Sequence, residues 1–294
     1  MDTAKNTFQR ISKKALGFLS SELGRYAIPV FLLGAYVALE RYPFSSLIGL
    51  SVFLSIACIL AADFVPSKGA AQPAHAAAKD IVFSLAAAIG LWLLLSFALN
   101  TSKPLNVVTS CSMLPVLHRG DLVFLQGGDF AAPLANLSSP LATGDLRQGT
   151  CTKNYFSGNS EQMPCTLALD IDGREYPATD PANSILVFEP EPAYYGLIIH
   201  RAVAKINFRG QTVVLTKGDN NNIIDQNGGM HAVSQDRIQG KVVFVVPWAG
   251  YVKIFLFGGF EFLSRLLAGD VGYAFSAFEA PPGCDFELFR PPNR

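Results

Sequence analysis

The hydrophobic pattern changes character near residue 100. Before that point lie three uncharged apolar stretches, at 26–39, 44–62 and 81–99. After it the apolar runs are short and broken by Gly, Asn, Asp and Pro. The stretch 81–99, IVFSLAAAIGLWLLLSFAL, is 19 residues with no polar face. At the rise of a helix it covers about 28 Å, close to the ~30 Å of a hydrocarbon core. In lipid the backbone must satisfy its own hydrogen bonds, so a spanning helix is predicted. The stretch 44–62 has the same length, holds Cys58, and predicts a second span. The stretch 26–39 has 14 residues between Arg25 and Glu40, with Pro29 near its start. It reads as a short or tilted span, or as half of a re-entrant hairpin. It is not read as a cleavable leader, because more apolar segments follow without a clean small-residue cleavage site.

Beyond residue 104, β-branched and aromatic runs at 122–125, 184–188, 197–203, 212–216 and 241–246 predict strands. The expected architecture is membrane-anchored and mainly β. A basic N-terminus (1–25) precedes a transmembrane sector (26–100), then a β-rich domain (101–250), then an apolar C-terminal segment (251–294). Residues 126–184 read as a loose insert. In it Cys151 and Cys165 lie 14 positions apart, and in an oxidising exterior they could pair. Residues 242–260 are apolar apart from Lys253. They read as a strand, a turn at Pro247–Trp248, and then an interfacial helix or a further span.

Composition sharpens this picture. Of 294 residues, 50% are hydrophobic and only 16% charged, which excludes intrinsic disorder. The net charge of +0 gives no basic face for nucleic acid. Charge is unevenly spread: residues 26–100 hold six charged side chains in 75 positions. Lys5, Arg10, Lys13, Lys14 and Arg25 precede the first stretch and are expected to stay in the cytosol, as are Lys68 and Lys79 in the Ala/Pro-rich linker. Three spans from that start place the β-rich domain on the non-cytosolic side. No metal site is expected: the four His are scattered and no CxxC or HExxH occurs. Asp170, Asp172 and Gly173 match the opening of a calcium loop, but the other ligand positions are not acidic.

Three segments carry candidate chemistry. Ser110-Cys111-Ser112-Met113-Leu114-Pro115 is followed by Arg119-Gly120-Asp121; His200-Arg201 follows an apolar run; Lys217-Gly218-Asp219-Asn220-Asn221 is followed by Asp225. Each alone is unremarkable, since a serine hydroxyl needs a base and a lone His beside an apolar run is usually structural. Together, Ser-x-Ser-Met-x-Pro-x-Leu-x-x-Gly-Asp, then His-Arg, then Gly-Asp-Asn-Asn with an Asp six positions on, after a membrane anchor, resemble the type I signal peptidases. The resemblance covers about 104–126 and 196–250. Bacterial-type members carry Lys-Arg where this chain has His200-Arg201, so the chain resembles the His type found in the endoplasmic reticulum and archaea.

The resemblance implies a serine endopeptidase that removes signal peptides from exported proteins. It assigns the nucleophile to Ser112, the base to His200 and the two acidic positions to Asp219 and Asp225. It also implies an oxyanion hole from the Ser112 N–H, assisted by the Ser110 hydroxyl, and groups Met113 with them at the oxyanion and substrate position. Cys111 stands where the family often has Gly. The chemistry needs no metal or organic cofactor. The implied partners are preprotein signal peptides and the lipid bilayer, and further membrane subunits are compatible with the His type.

The residue types suit those roles on their own terms. Amide hydrolysis needs a nucleophile, a base that titrates near neutrality and donors for the oxyanion. An imidazole can take the serine proton and pass it to the leaving amine, if an acceptor holds its other nitrogen. Asp219 or Asp225 could be that acceptor, and the sequence does not choose. Lys205 and Lys217 are the competing bases, each requiring burial to lower its pKa. Two other readings stay open: a peptidase of the same chemistry dedicated to a narrow substrate set, such as pilin-like or conjugation-related proteins, and an inactive membrane-anchored scaffold.

Overall fold

In a computed structural model, the described residues are 30–32, 34–36, 50–52, 54–55, 74–137, 146–155, 158–171, 173–193, 196–208, 210–270 and 284. The chain divides into two units, one of residues 81–251 with 281–294, the other of 1–80 with 252–280. In the second, the described residues 30–32, 34–36, 50–52 and 54–55 are helical, and the fully buried Tyr36 meets the ring of Phe255 edge-on at 6.0 Å. The expected spans at 26–39 and 44–62 otherwise lie outside the described residues.

Helix α1 (Ala74–Ala98) contains most of the third expected span. Its apolar side chains are exposed around the helix, with Phe83 at 74% and Phe97 at 88%. Asn100 ends it at φ 50°, and the Thr101 N–H donates to the Ser96 carbonyl at 3.1 Å, a left-handed cap. Among the described residues no helix is long and apolar enough to cross a membrane.

The larger unit is mainly β. One eight-stranded sheet runs β1 (Leu105–Val107), β2 (Leu122–Gln126), β11 (Ile238–Val246), β7 (Ile185–Phe188), β8 (Ile198–Phe208), β9 (Gln211–Lys217), β10 (Val233–Ser234), with β3 (Leu134–Leu137) parallel to the far half of β8. All other pairs in it are antiparallel. A second sheet, β4 (Leu146–Asn154), β5 (Ser160–Ile171), β6 (Arg174–Pro177), is a meander.

That second sheet corrects the reading of 126–184 as a loose insert. Strand β4 is LRQGTCTKN, which offers no apolar alternation, yet it pairs with β5 over its whole length. The structure bonds Cys151 to Cys165 across this pair, with Cα atoms 5.8 Å apart. The far end of β5 does alternate, and it sinks Leu169 and Ile171 against Val203, Ile206, Leu215 and Ile224. The second sheet is thereby packed on β8 and β9 rather than hanging from them. Strand β8 also runs past the expected 197–203. Lys205 interrupts the apolar run but ties its ammonium to Asp129 at 2.8 Å.

The C-terminal segment follows the strand, turn and helix order. Strand β11 ends at Val246, Trp248 turns the chain at φ 62°, and helix α2 spans Tyr251–Leu267.

Candidate active site

Ser112 sits in the loop between β1 and β2. Hydrogen bonds from Val108 N–H to the Asp121 carbonyl and from Gly120 N–H to the Val108 carbonyl, both 2.9 Å, close its base. Met113, Leu114 and Leu117 are buried and anchor its middle. The Asp121 carboxylate accepts the His118 N–H at 2.8 Å. Gly120 is required at its position: φ is +87°, and a Cβ would fall 2.0 Å from the Tyr251 ring. The loop therefore presents a part-exposed serine on a fixed frame.

His200 lies on β8, between β7 and β9 in the larger sheet. Its Nε2 is 2.9 Å from Ser112 Oγ and its Nδ1 is 2.6 Å from Asp225 Oδ2. The side chains of His200 and Asp225 are 7% and 2% exposed. Asp225 opens a short 3-10 turn after β9, and Thr216 Oγ1 also donates to its Oδ2 at 2.7 Å. An ionised carboxylate only accepts, so the proton belongs on His200 Nδ1. Nε2 is then left with its lone pair toward the serine hydroxyl. The three groups stand in the order that a nucleophile, a base and an orienting carboxylate require.

The choice between the two aspartates is thus made by geometry. Asp219 does not meet His200. Successive side chains leave a strand by opposite faces, so Arg201 points away from its neighbour His200. Asp219 takes Arg201 in a two-pronged pair, Nε to Oδ1 at 2.8 Å and Nη2 to Oδ2 at 2.7 Å, while Arg201 Nη1 donates to the Asn183 carbonyl at 2.8 Å. Asp219 is thus paired with Arg201 and not with His200, the contact that the expected catalytic role would require.

The competing bases are occupied elsewhere. Lys205 is paired with Asp129 and lies 4.3 Å from the Phe130 ring centre. Lys217 is buried, and its ammonium donates to the Gly218 carbonyl at 3.2 Å. Burial pushes its pKa down; the Asp219 and Asp225 carboxylates pull it back up, and nearby Lys153 lowers it further. Lys153, itself lowered by burial, donates to the Asn220 carbonyl at 3.1 Å.

Ser110 stays on the surface with Oγ 3.1 Å from Ser112 Oγ. Among the described residues no acceptor takes the N–H of Ser112 or of Met113. Cys111, between the two serines, is bonded to Cys284, with Cα atoms 5.2 Å apart. The pairing was not legible, since 173 residues separate the two. Sequence reading also gave no role to Thr216 or Asn220, although both lie within the LTKGDNN segment. No group of three or more His, Cys, Asp or Glu able to hold a metal occurs among the described residues. Asp172, of the calcium-like segment, lies outside them.

Comparison with known proteins gives a consistent set of relatives. A protein of Metarhizium acridum named signal peptidase complex catalytic subunit SEC11 is 28% identical over 196 residues, 64% of this chain and 86% of its own length. One of the same name from Sclerotinia sclerotiorum is 28% identical over 192 residues, 63% of this chain and 83% of its own. Another, from Colletotrichum graminicola, is 27% identical over 209 residues, 69% and 92% respectively. No protein-family model matches the chain.

Proposed function

We propose, from its similarity to catalytic subunits of signal peptidase complexes, that the chain is a serine endopeptidase that removes signal peptides from exported proteins. The observation that carries the reading is the unbroken line from Ser112 Oγ through His200 to Asp225. In this reading Ser112 Oγ attacks the scissile carbonyl as its proton passes to His200 Nε2. The Ser112 N–H, aided by the Ser110 hydroxyl, receives the oxyanion. His200 then protonates the leaving amine, and the acyl-enzyme on Ser112 is hydrolysed by a water that His200 deprotonates.

The same reading places the β-rich unit outside the cytosol, tethered by α1. Its support is the apolar surface around α1 and the two disulfides, which persist in oxidising compartments. A tether ending at Asn100 sets the serine 12 positions from the helix end. A substrate still inserted in the bilayer is then within reach. The relatives are named as subunits of a complex, and we extend that to this chain: further membrane subunits accompany it. The dedicated peptidase and the inactive scaffold have no comparable support.

The test is cleavage of a purified preprotein by the full chain in detergent. Wild type should release the mature protein after a small side chain, and Ser112→Ala should not. Equal cleavage by both proteins would refute the reading.

A further inference from the structure

Asn220 is almost fully buried, and its polar atoms are directed at the backbone of the nucleophile loop. Its Nδ2 donates to the Cys111 carbonyl at 2.9 Å, and its own backbone N–H donates to the Ser112 carbonyl at 2.8 Å. Two successive carbonyls, one on each side of the proposed nucleophile, are thus held by one residue. Asn220 is itself held by the tip of β4: Nδ2 also donates to the Asn154 carbonyl at 2.6 Å, and Oδ1 accepts the Asn154 N–H at 2.7 Å.

The peptide unit is planar and trans, so its C=O and N–H point in opposite directions. Fixing the Cys111 carbonyl toward Asn220 therefore aims the Ser112 N–H the other way. Fixing the Ser112 carbonyl does the same for the Met113 N–H. Neither of these N–H groups finds an acceptor among the described residues. We infer that Asn220 is a positioning residue that sets the oxyanion donors of this site, and that the β4–β5 hairpin acts on catalysis through it. The inference rests on the serine-peptidase reading above. Gly218 belongs to the same device: a Cβ there would stand 2.7 Å from the Ser112 carbonyl, so only glycine lets that carbonyl approach Asn220.

A donor displaced from the oxyanion weakens transition-state binding and leaves ground-state binding alone, so the loss should fall on kcat. Removing one such donor outright costs about 10²–10³-fold in kcat. Asn220→Asp keeps the shape and loses the Nδ2 donor; it should lower kcat by about 10–10²-fold with KM within a few-fold of wild type. A peptide boronic acid, which forms a tetrahedral adduct on the serine, should lose affinity by the same factor. The uncleaved peptide bound to the Ser112→Ala background should not. Gly218→Ala displaces the adjacent Ser112 carbonyl, re-aims the Met113 N–H and should give the same signature, which decides the matter if Asn220→Asp fails to fold. Wild-type kcat and boronate affinity in either variant that melts like wild type would overturn the inference. A wild type that neither cleaves peptide nor binds boronate would instead overturn the peptidase reading itself.

Discussion

Asp219 and Asp225 are six residues apart, and the structure gives them different partners, which mutation should separate. The Arg201 and Asp219 side chains are 6% and 7% exposed, and their two parallel hydrogen bonds leave Arg201 little else to hold. Asp219→Ala leaves a buried guanidinium with only the Asn183 carbonyl. Breaking a buried pair by removing one partner costs about 3–5 kcal/mol. For a domain of this size each kcal/mol moves the melting temperature by about 2–4 °C, so the expected loss is about 6–20 °C. Asp225→Asn should behave differently. The amide fits the same space and keeps a partner in Thr216, but its NH₂ can face His200 and drive the proton to Nε2. The imidazole then cannot accept from Ser112. A carboxylate-to-amide change at such a position costs about 10⁴-fold in kcat while the geometry stays intact. The assay is a thermal melt in detergent beside preprotein cleavage well below the melting point. Asp219→Ala melting with wild type, or Asp225→Asn cleaving at the wild-type rate, would refute the division of roles.

Further outcomes follow from other parts of the site. Burial lowers the Lys217 pKa below the ordinary 10.5, so between the two values the unfolded chain binds the extra proton and stability rises with pH. Below the lowered value the penalty is complete. Lys217→Met should therefore flatten the alkaline rise in urea titrations at stepped pH, leaving the contribution of Lys153; identical slopes in both proteins would contradict this. Changing Cys151 and Cys165 together to Ser removes a bridge across 14 residues, worth about 3 kcal/mol, and should lower the non-reduced melting temperature by about 6–12 °C. An unchanged melt would show that the hairpin needs no staple.

The sequence carried the eight-stranded sheet better than the second one, for a physical reason. Strands β2, β7, β8 and β9 sit in the larger sheet with buried apolar side chains, so their composition announces them. Strand β4 is held by its ladder to β5 and by a disulfide, and neither leaves a periodic trace in LRQGTCTKN. At the site, residue types and motif order were enough to single out Ser112 and His200. They could not separate Asp219 from Asp225, because that choice depends on which face of β8 each carboxylate meets. Asn220 shows the same limit. Its importance lies in the backbone carbonyls it holds, and a sequence names side chains only.

In the proposed mechanism His200 removes the proton from Ser112. The most direct measurement is the rate at which a fluorophosphonate acylates the protein, read by mass spectrometry of the peptide containing residue 112, in wild type, His200→Ala and Ser112→Ala. The account predicts a single adduct on Ser112 in wild type, labelling slowed by orders of magnitude in His200→Ala, and none in Ser112→Ala. Labelling of His200→Ala at the wild-type rate, or an adduct on another residue, would contradict it.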